Sequence, residues 1–498
     1  MPSSYGATSD SMPRQSSRTR RRAHRIARAA ADRPGASVLS SFSNLSNTII
    51  GSGALAFPSA FAAMGMIPGF ISCLFSASTA MFGLWCLSRC AELVGKKPGD
   101  EGRKASFNEV ARLAFGKGWV MRLFDLAIAI KCFGVSVSYL IICKTLLPQV
   151  CQTFAHIFKK TIEPGSILLE PTFWLLLTIP IIVPLSFMRT LDSLRFTSQI
   201  ALLSVFYMVI VVVSWYFIKG PDPNRGEVVK AHFGRDTLSS FPVQVFAFTC
   251  AQNLFPIYNE LKDRTQAKMN LVIGSSIMSA ASVYELLGVV GYLTFGSKVS
   301  SNVMAMYPSE SMYVAVGRLG IVFLVGLSYP LQALPCRSCL YLLTSGIIKG
   351  KKHTPLPQEP ESDTESDDDH EDDTSDSGIS GHEQDMLVPK VGDGVRGPTT
   401  AEMPFKKYVG FTVLILVAGY TIALLVDELD IVLSFVGSTG STIISFILPG
   451  FFYFRLYRDQ PGATKWCALA LGIYGIAVMT FCLTNNIVKL AMQPRAVH

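Results

Sequence analysis

Two short stretches of the chain place helix-breaking and polar residues in the middle of apolar segments. The first runs from Ser43 to Pro58 and contains Asn47-Thr-Ile-Ile-Gly-Ser-Gly53. Gly51 and Gly53 weaken helical preference, and Pro58 has no backbone donor. The second runs Phe246-Ala-Phe-Thr-Cys-Ala-Gln-Asn-Leu-Phe-Pro-Ile-Tyr-Asn-Glu260. Here Thr249, Gln252 and Asn253 are polar, and Pro256 cannot donate back to Gln252. Freed backbone groups at membrane depth are tolerated only where protein buries them or they line a cavity. A half-helix starting after Gly53 would present unpaired N–H groups and a positive dipole end to an anion, which suits a carboxylate. Carbonyls freed from Thr249 through Cys250 and Gln252 to Asn253 would suit an ammonium. A zwitterionic α-amino acid matches both. Taken singly, each stretch is also explained by close helix packing, because small residues and prolines are common in membrane helices.

Two ionisable residues also fall inside apolar segments. Lys131 lies in the third and Glu285 in the seventh. Charges at the bilayer centre are costly, so such residues pair, face a cavity or take part in function. Glu285 is a candidate proton carrier, and a Lys131–Glu285 pair is one arrangement that would satisfy both. Arg318, Asp427, Glu428 and Asp430 fall near outer helix ends, where solvation is the ordinary explanation.

These residues need a membrane-spanning frame, and composition supplies it. Of 498 residues 49% are hydrophobic and only 16% are charged, against about 25% charged in soluble domains. Eleven apolar segments of spanning length follow one another, at about 38–63, 67–92, 119–147, 172–190, 196–218, 238–257, 269–295, 313–345, 405–426, 430–455 and 465–489. The expected fold class is an all-α polytopic membrane protein. Spans one to five and six to ten form two sets, with a break in the first span of each, as in transporters built from inverted repeats. Lys and Arg concentrate in the segments that this arrangement puts on the cytosolic side, so the N-terminus is expected in the cytosol and the C-terminus outside it.

The remaining segments read as tails and loops. Residues 1–35 form a basic cytosolic tail, 36–345 carry helices one to eight, 346–404 form an acidic cytosolic loop, 405–490 carry helices nine to eleven, and 491–498 are a short tail. The acidic loop is too polar to bury a core and is expected to be disordered. Ser362, Thr364 and Ser366 each have an acidic residue three positions on, the pattern of acidophilic-kinase sites. The formal net charge of +8 is spread over loops with no nucleic-acid-binding motif, so no nucleic acid is expected as partner. The cysteines fall mostly inside apolar segments, so no structural disulfide is expected. The single Cys336-x-x-Cys339 pair is too little for a metal site.

The Asn47 to Gly53 run, the Gln252-Asn-Leu-Phe-Pro-Ile-Tyr-Asn-Glu260 run and Gly440-Ser-Thr-Ile-Ile-Ser-Phe-Ile-Leu-Pro449 resemble the amino acid/auxin permease family. The resemblance covers about residues 36–490 apart from the acidic loop. It is nearest to fungal vacuolar amino-acid transporters and more distant from animal sodium-coupled neutral amino-acid transporters. It implies a LeuT-like core of ten helices with broken helices one and six, an eleventh helix, and secondary active transport of amino acids. The family's substrate region maps on Asn47 to Gly53, hence Thr48, Ile50, Gly51, Ser52 and Gly53. In the sodium-coupled relatives an Asn at Asn47 and a hydroxyl residue at Ser328 contribute to a cation site. The vacuolar resemblance implies protons as coupling ion, with sodium as the alternative. One departure is Ala251, where fungal relatives often have His.

No nucleophile, metal triad or nucleotide motif appears in a plausible context, so an enzyme is not expected, and neither is a cofactor. The expected partners are an amino-acid substrate, the lipid bilayer and a kinase acting on the acidic loop, with one chain as the functional unit. The expected location is a vacuolar, lysosome-like membrane, with the plasma membrane as alternative. The competing reading from another class is an amino-acid sensor that signals through its tail and loop.

Overall fold

The computed structural model describes residues 36–94, 96, 104–116, 118–160, 162–163, 165–187, 197–232, 234–262, 264–348 and 403–492. The basic segment 1–35, nearly all of the acidic segment 346–404 with Ser362, Thr364 and Ser366, and most of 491–498 lie outside them.

Every described apolar segment is helical, as expected where backbone groups must be satisfied without water. The first is split into α1 (Val38–Ile49) and α2 (Gly53–Met64). α3 (Met66–Ala91), the short α4 (Phe107–Phe115) and α5 (Trp119–Ile157) follow. Next come α6 (Pro171–Leu177), α7 (Ile179–Ser186) and α8 (Thr197–Lys219). The second split segment gives α9 (Arg235–Ala247) and α10 (Ala251–Glu260), followed by α11 (Gln266–Phe295), the one-turn α12 (Val303–Met306) and α13 (Met312–Ile348). α14 (Phe405–Leu425), α15 (Leu429–Val436), α16 (Leu448–Leu456) and α17 (Thr464–Met492) complete the chain. Between α15 and α16 the helix continues through two π-turns, Gly437–Ser441 and Ile443–Ile447. Among the described residues no strand forms beyond an isolated parallel bridge between Ala36 and Leu261.

Eight of these runs are long and apolar enough to cross a membrane: Met66–Ala91, Trp119–Ile157, Leu202–Lys219, Gln266–Lys298, Met312–Thr344, Phe405–Leu425, Leu429–Leu456 and Thr464–Met492. The other apolar segments are broken into shorter helices. Trp119–Ile157 and Leu429–Leu456 are mostly buried, whereas the exterior carries large apolar side chains such as Phe217 at 77%, Ile218 at 73% and Leu425 at 78% exposure. An apolar outer surface of this kind is stable against lipid and not against water. The most extensive helix pairing joins α13 to α5, while α11 packs along α1, α2 and α3.

The extended segment between α8 and α9 ties helix ends together. Val229 O and Lys230 O accept from Met66 N at 3.1 Å and Ile67 N at 2.9 Å, and His232 N donates to Met64 O at 2.7 Å. Gly226 N donates to Phe295 O at 2.9 Å at the end of α11. A Cβ at Gly65, whose φ is +86°, would fall 2.8 Å from Ala231 Cα, so the chain reverses there only with glycine.

The structure corrects the expectation of solvation for Arg318, whereas Asp427 and Glu428 are exposed as expected. Arg318 is fully buried and donates to Met304 O at 3.0 Å, to Ser309 Oγ at 3.4 Å and to Tyr307 O. Carbonyls at the end of α12 replace its hydration. Asp427 is exposed, but it accepts from the buried Lys144 Nζ at 2.5 Å.

Candidate functional site

The first break is an open gap between two half-helices. α1 ends with Ile50 N donating to Ser46 O at 2.8 Å, and Ile50 itself is extended at φ −79°, ψ 93°. α2 begins at Gly53, with Ala54 N donating to Gly51 O at 3.1 Å and Leu55 N to Ser52 O at 3.3 Å. The N–H groups of Gly51, Ser52 and Gly53 donate to no described residue, and the carbonyls of Asn47 and Thr48 accept from none. Three successive unbonded N–H groups at the start of a helix form an anion-binding geometry. A Cβ at Gly51 would meet nothing within 4 Å, so there is room beside them. Gly53 differs, because its Cβ would fall 2.7 Å from Ala247 Cβ and 2.9 Å from Ala247 Cα. That glycine lets α2 press directly on α9. Ser52 Oγ accepts from Ser138 Oγ of α5 at 3.3 Å.

The second break is shorter and better satisfied, and it lies upstream of Pro256. The proline is inside α10, while the chain departs from helix at Phe248, Thr249 and Cys250. Gln252 and Asn253 are therefore in the first turn of α10 and not in the gap. All four last carbonyls of α9 are taken. Gln244 O accepts from Phe248 N at 3.2 Å, Phe246 O from Thr249 N at 3.0 Å, Val245 O from Thr249 Oγ1 at 2.6 Å and Ala247 O from Tyr284 OH at 3.1 Å. The acceptors left over are Phe248 O and Thr249 O. Gln252 Oε1 is buried with no partner, a group that a ligand donor would satisfy. Asn253 Nδ2 donates to Thr48 Oγ1 at 2.7 Å, and Thr48 Oγ1 donates to Asn44 O at 2.9 Å, so the two broken segments are joined beside their gaps.

Tyr284 of α11, beyond the sequence reading, joins the breaks. Its buried hydroxyl lies 2.7 Å from Ile49 O and 3.1 Å from Ala247 O, the last carbonyls of α1 and α9. Its ring stacks on Phe57 at 4.3 Å and meets Phe248 edge-on at 5.1 Å. No sequence signal separates this tyrosine from an ordinary core residue. The tenth span had a signal in its small-residue run, Gly437 to Ser441. A Cβ at Gly437 would clash with Pro242 O, and one at Gly440 would lie 2.5 Å from Ala127 O and 3.1 Å from Lys131 Cβ. Ser445 Oγ reaches Thr249 Oγ1 at 3.3 Å. π-turns of this kind are frequent at functional sites.

The two charges at depth do not pair. Lys131 is buried on α5 with Cys250 as an electrostatic neighbour, so it stands by the second break. Glu285 faces α3, where its buried carboxyl oxygens have the Cys73 thiol as neighbour and no ion pair with a described residue. Their neighbours differ, Cys250 for Lys131 and Cys73 for Glu285, and no ion pair joins the two. Asn47 and Ser328 are each half-buried, and no hydrogen bond joins them or ties either side chain to a described residue. Among the described residues no cluster of His, Cys, Asp or Glu could hold a metal ion.

Comparison with known proteins shows the family of the chain. Residues 34–489 match the model of the family described as transmembrane amino acid transporter protein. Vacuolar amino acid transporter 5 of Schizosaccharomyces pombe is 36% identical over 470 residues, covering 92% of this chain and 96% of the relative. Vacuolar amino acid transporter 6 of Saccharomyces cerevisiae is 34% identical, over 90% of this chain and 98% of the relative. Sodium-coupled neutral amino acid transporter 7 of Danio rerio is 28% identical over 60% of this chain and 63% of the relative. Two interrupted helices meeting at unused backbone groups, in a chain with an apolar exterior, are thus found in a protein that belongs to the family of transmembrane amino acid transporters and is not an enzyme.

Proposed function

We propose that the chain moves amino acids across a vacuolar, lysosome-like membrane by alternating access, driven by protons. In this reading it crosses the membrane eleven times in a LeuT-like arrangement. One set of five runs from α1 to α8, an inverted set from α9 to α16, and α17 is last. The N-terminus is cytosolic. The carrying observation is the unused backbone at the first break. The N–H groups of Gly51, Ser52 and Gly53 donate to no described residue and open space lies beside Gly51, while the carbonyls of Phe248 and Thr249 with Gln252 Oε1 lie at the matching break. The first group holds a carboxylate and the second an ammonium. The vacuolar relatives support the location.

Glu285 is the proton carrier in this reading, because a buried carboxyl group with only the Cys73 thiol beside it and no ion pair to a described residue can take up and release a proton at membrane depth. Sodium coupling is the second reading. It rests on the uncommitted oxygens of Asn47 and Ser328, with Lys131 as a fixed cation near the second break. Phosphorylation of Ser362, Thr364 and Ser366 by an acidophilic kinase is a separate proposal for control.

Flux measurements in proteoliposomes test these points together. Imposed pH gradients are expected to drive uptake of free amino acids but not of their N-acetyl or amide derivatives, which lack one charge of the zwitterion. Glu285→Gln is expected to abolish pH-driven uptake while leaving exchange of substrate across the membrane. Uptake driven by a sodium gradient alone would replace the proton reading, and binding without flux would replace transport by sensing.

A further inference from the structure

The geometry points to a phospholipid headgroup site between α16 and α17, and we propose that it selects a phosphorylated inositol lipid. Phe454, Arg455, Arg458, Lys465 and Trp466 line a cavity of about 380 Å³. It stands where α16 ends and the 29-residue α17 begins. Three of the five lining side chains are cations, and Asp459, the neighbouring acid, does not line the cavity. Arg455 uses Nε on Ala114 O at 3.4 Å, and Lys465 Nζ donates to Arg458 O at 2.9 Å. The terminal nitrogens of Arg455 and the whole guanidinium of Arg458 form no hydrogen bond or ion pair with any described residue. Two free guanidinium forks beside an ammonium form a phosphate-binding set, since Arg recognises phosphate oxygens in pairs. Lys465 and Trp466 are in the first turn of α17, which adds the positive end of a helix dipole.

The aromatic pair argues for a lipid as occupant. Trp466 is 59% exposed and its ring lies 5.7 Å from that of Phe454. Below it α17 presents apolar residues such as Ile473 and Phe481 to the exterior. An exposed tryptophan over cations at the end of a spanning helix marks the membrane interface. Basic pockets at that level hold phosphorylated headgroups while the acyl chains follow the helix. Arg455 reaches α4, so the cavity stands on the face that carries α4.

The test uses the full-length chain in lipid nanodiscs, which expose both leaflets, so the result does not depend on which way the protein faces or what it transports. One sample contains phosphatidylcholine with a small share of phosphatidylinositol phosphate, a second phosphatidylcholine with phosphatidylserine, and a third phosphatidylcholine with inorganic phosphate. Native mass spectrometry of the released protein identifies the bound species. The wild type is expected to retain the inositol lipid in preference to the others. The double variant Arg458→Gln/Lys465→Gln is expected to retain about tenfold less, with Lys230→Gln on the opposite face unchanged. Equal retention by the double variant overturns the proposal, as does binding of inorganic phosphate with no lipid preference. Crosslinking of the chain's own acidic segment 361–377 to position 458, with no lipid retained, assigns the cavity to that segment and also overturns it.

Discussion

Both breaks leave three successive N–H groups without a described partner, Gly51 to Gly53 at the first and Cys250 to Gln252 at the second, but the carbonyls of Asn47 and Thr48 are also open at the first, whereas the last four carbonyls of α9 are all bonded at the second. Both stretches interrupt a spanning helix with small, polar and proline residues, yet they offer different surfaces. The difference comes from side chains around each gap. Thr249 closes its own break by donating from both N and Oγ1, and Tyr284 adds a hydroxyl from outside. The first break has no such residue beyond Tyr284 at Ile49 O, so the carbonyls of Asn47 and Thr48 stay open. A sequence interruption therefore marks where backbone is freed, and the neighbours decide how much of it remains available to a ligand.

Substitutions at the two glycines of the first break test this most strongly. Gly51→Leu and Gly53→Val are both expected to abolish flux, for different reasons. Gly51 faces open space, so the leucine fills the gap and the protein keeps its elution profile and melting temperature. Gly53 presses on Ala247, so the valine overpacks the contact and costs about 1–3 kcal/mol, seen as a lower melting temperature in detergent. Equal melting temperatures for the two variants would erase the contrast.

Tyr284→Phe has the next largest effect. It keeps the stacking on Phe57 and removes the hydroxyl that serves both breaks, leaving buried carbonyls at Ile49 and Ala247 at a cost of about 1–3 kcal/mol. Thermal unfolding should show that loss, with flux reduced but present. The smallest effect is expected for Asn253→Ala. It removes the 2.7 Å bond to Thr48 and about 1 kcal/mol, read as a rise in KM with little change in melting. A drop in maximal flux as large as that of Gly51→Leu would make Asn253 a direct substrate contact.

Much of the frame was legible because membrane insertion constrains sequence strongly. The apolar segments at 67–92, 119–147 and 405–426 return as α3, α5 and α14, since about 20 apolar residues have few alternatives to a spanning helix. The gap at Gly51 was legible from glycine spacing. Pro256 misled, since a proline in the second turn of a half-helix is accommodated within it, and the departure falls instead at Phe248 to Cys250. A Lys131–Glu285 pair follows from opposite charge alone, and the structure forms no such pair, with Cys250 beside Lys131 and Cys73 beside Glu285.

By itself the sequence determined the class of molecule, the segments that become helices and the places where two of them break. Those are local properties, set by apolar length and by residues that cannot hold a helical hydrogen-bond ladder. Only the tertiary structure decided which freed groups stay free. Tyr284 is 37 residues from Ala247 and 235 from Ile49 along the chain, and it meets both carbonyls because α11 packs along the first broken segment and its tyrosine reaches across to the end of α9. Contacts between residues so far apart depend on how the helices pack, which no local pattern encodes.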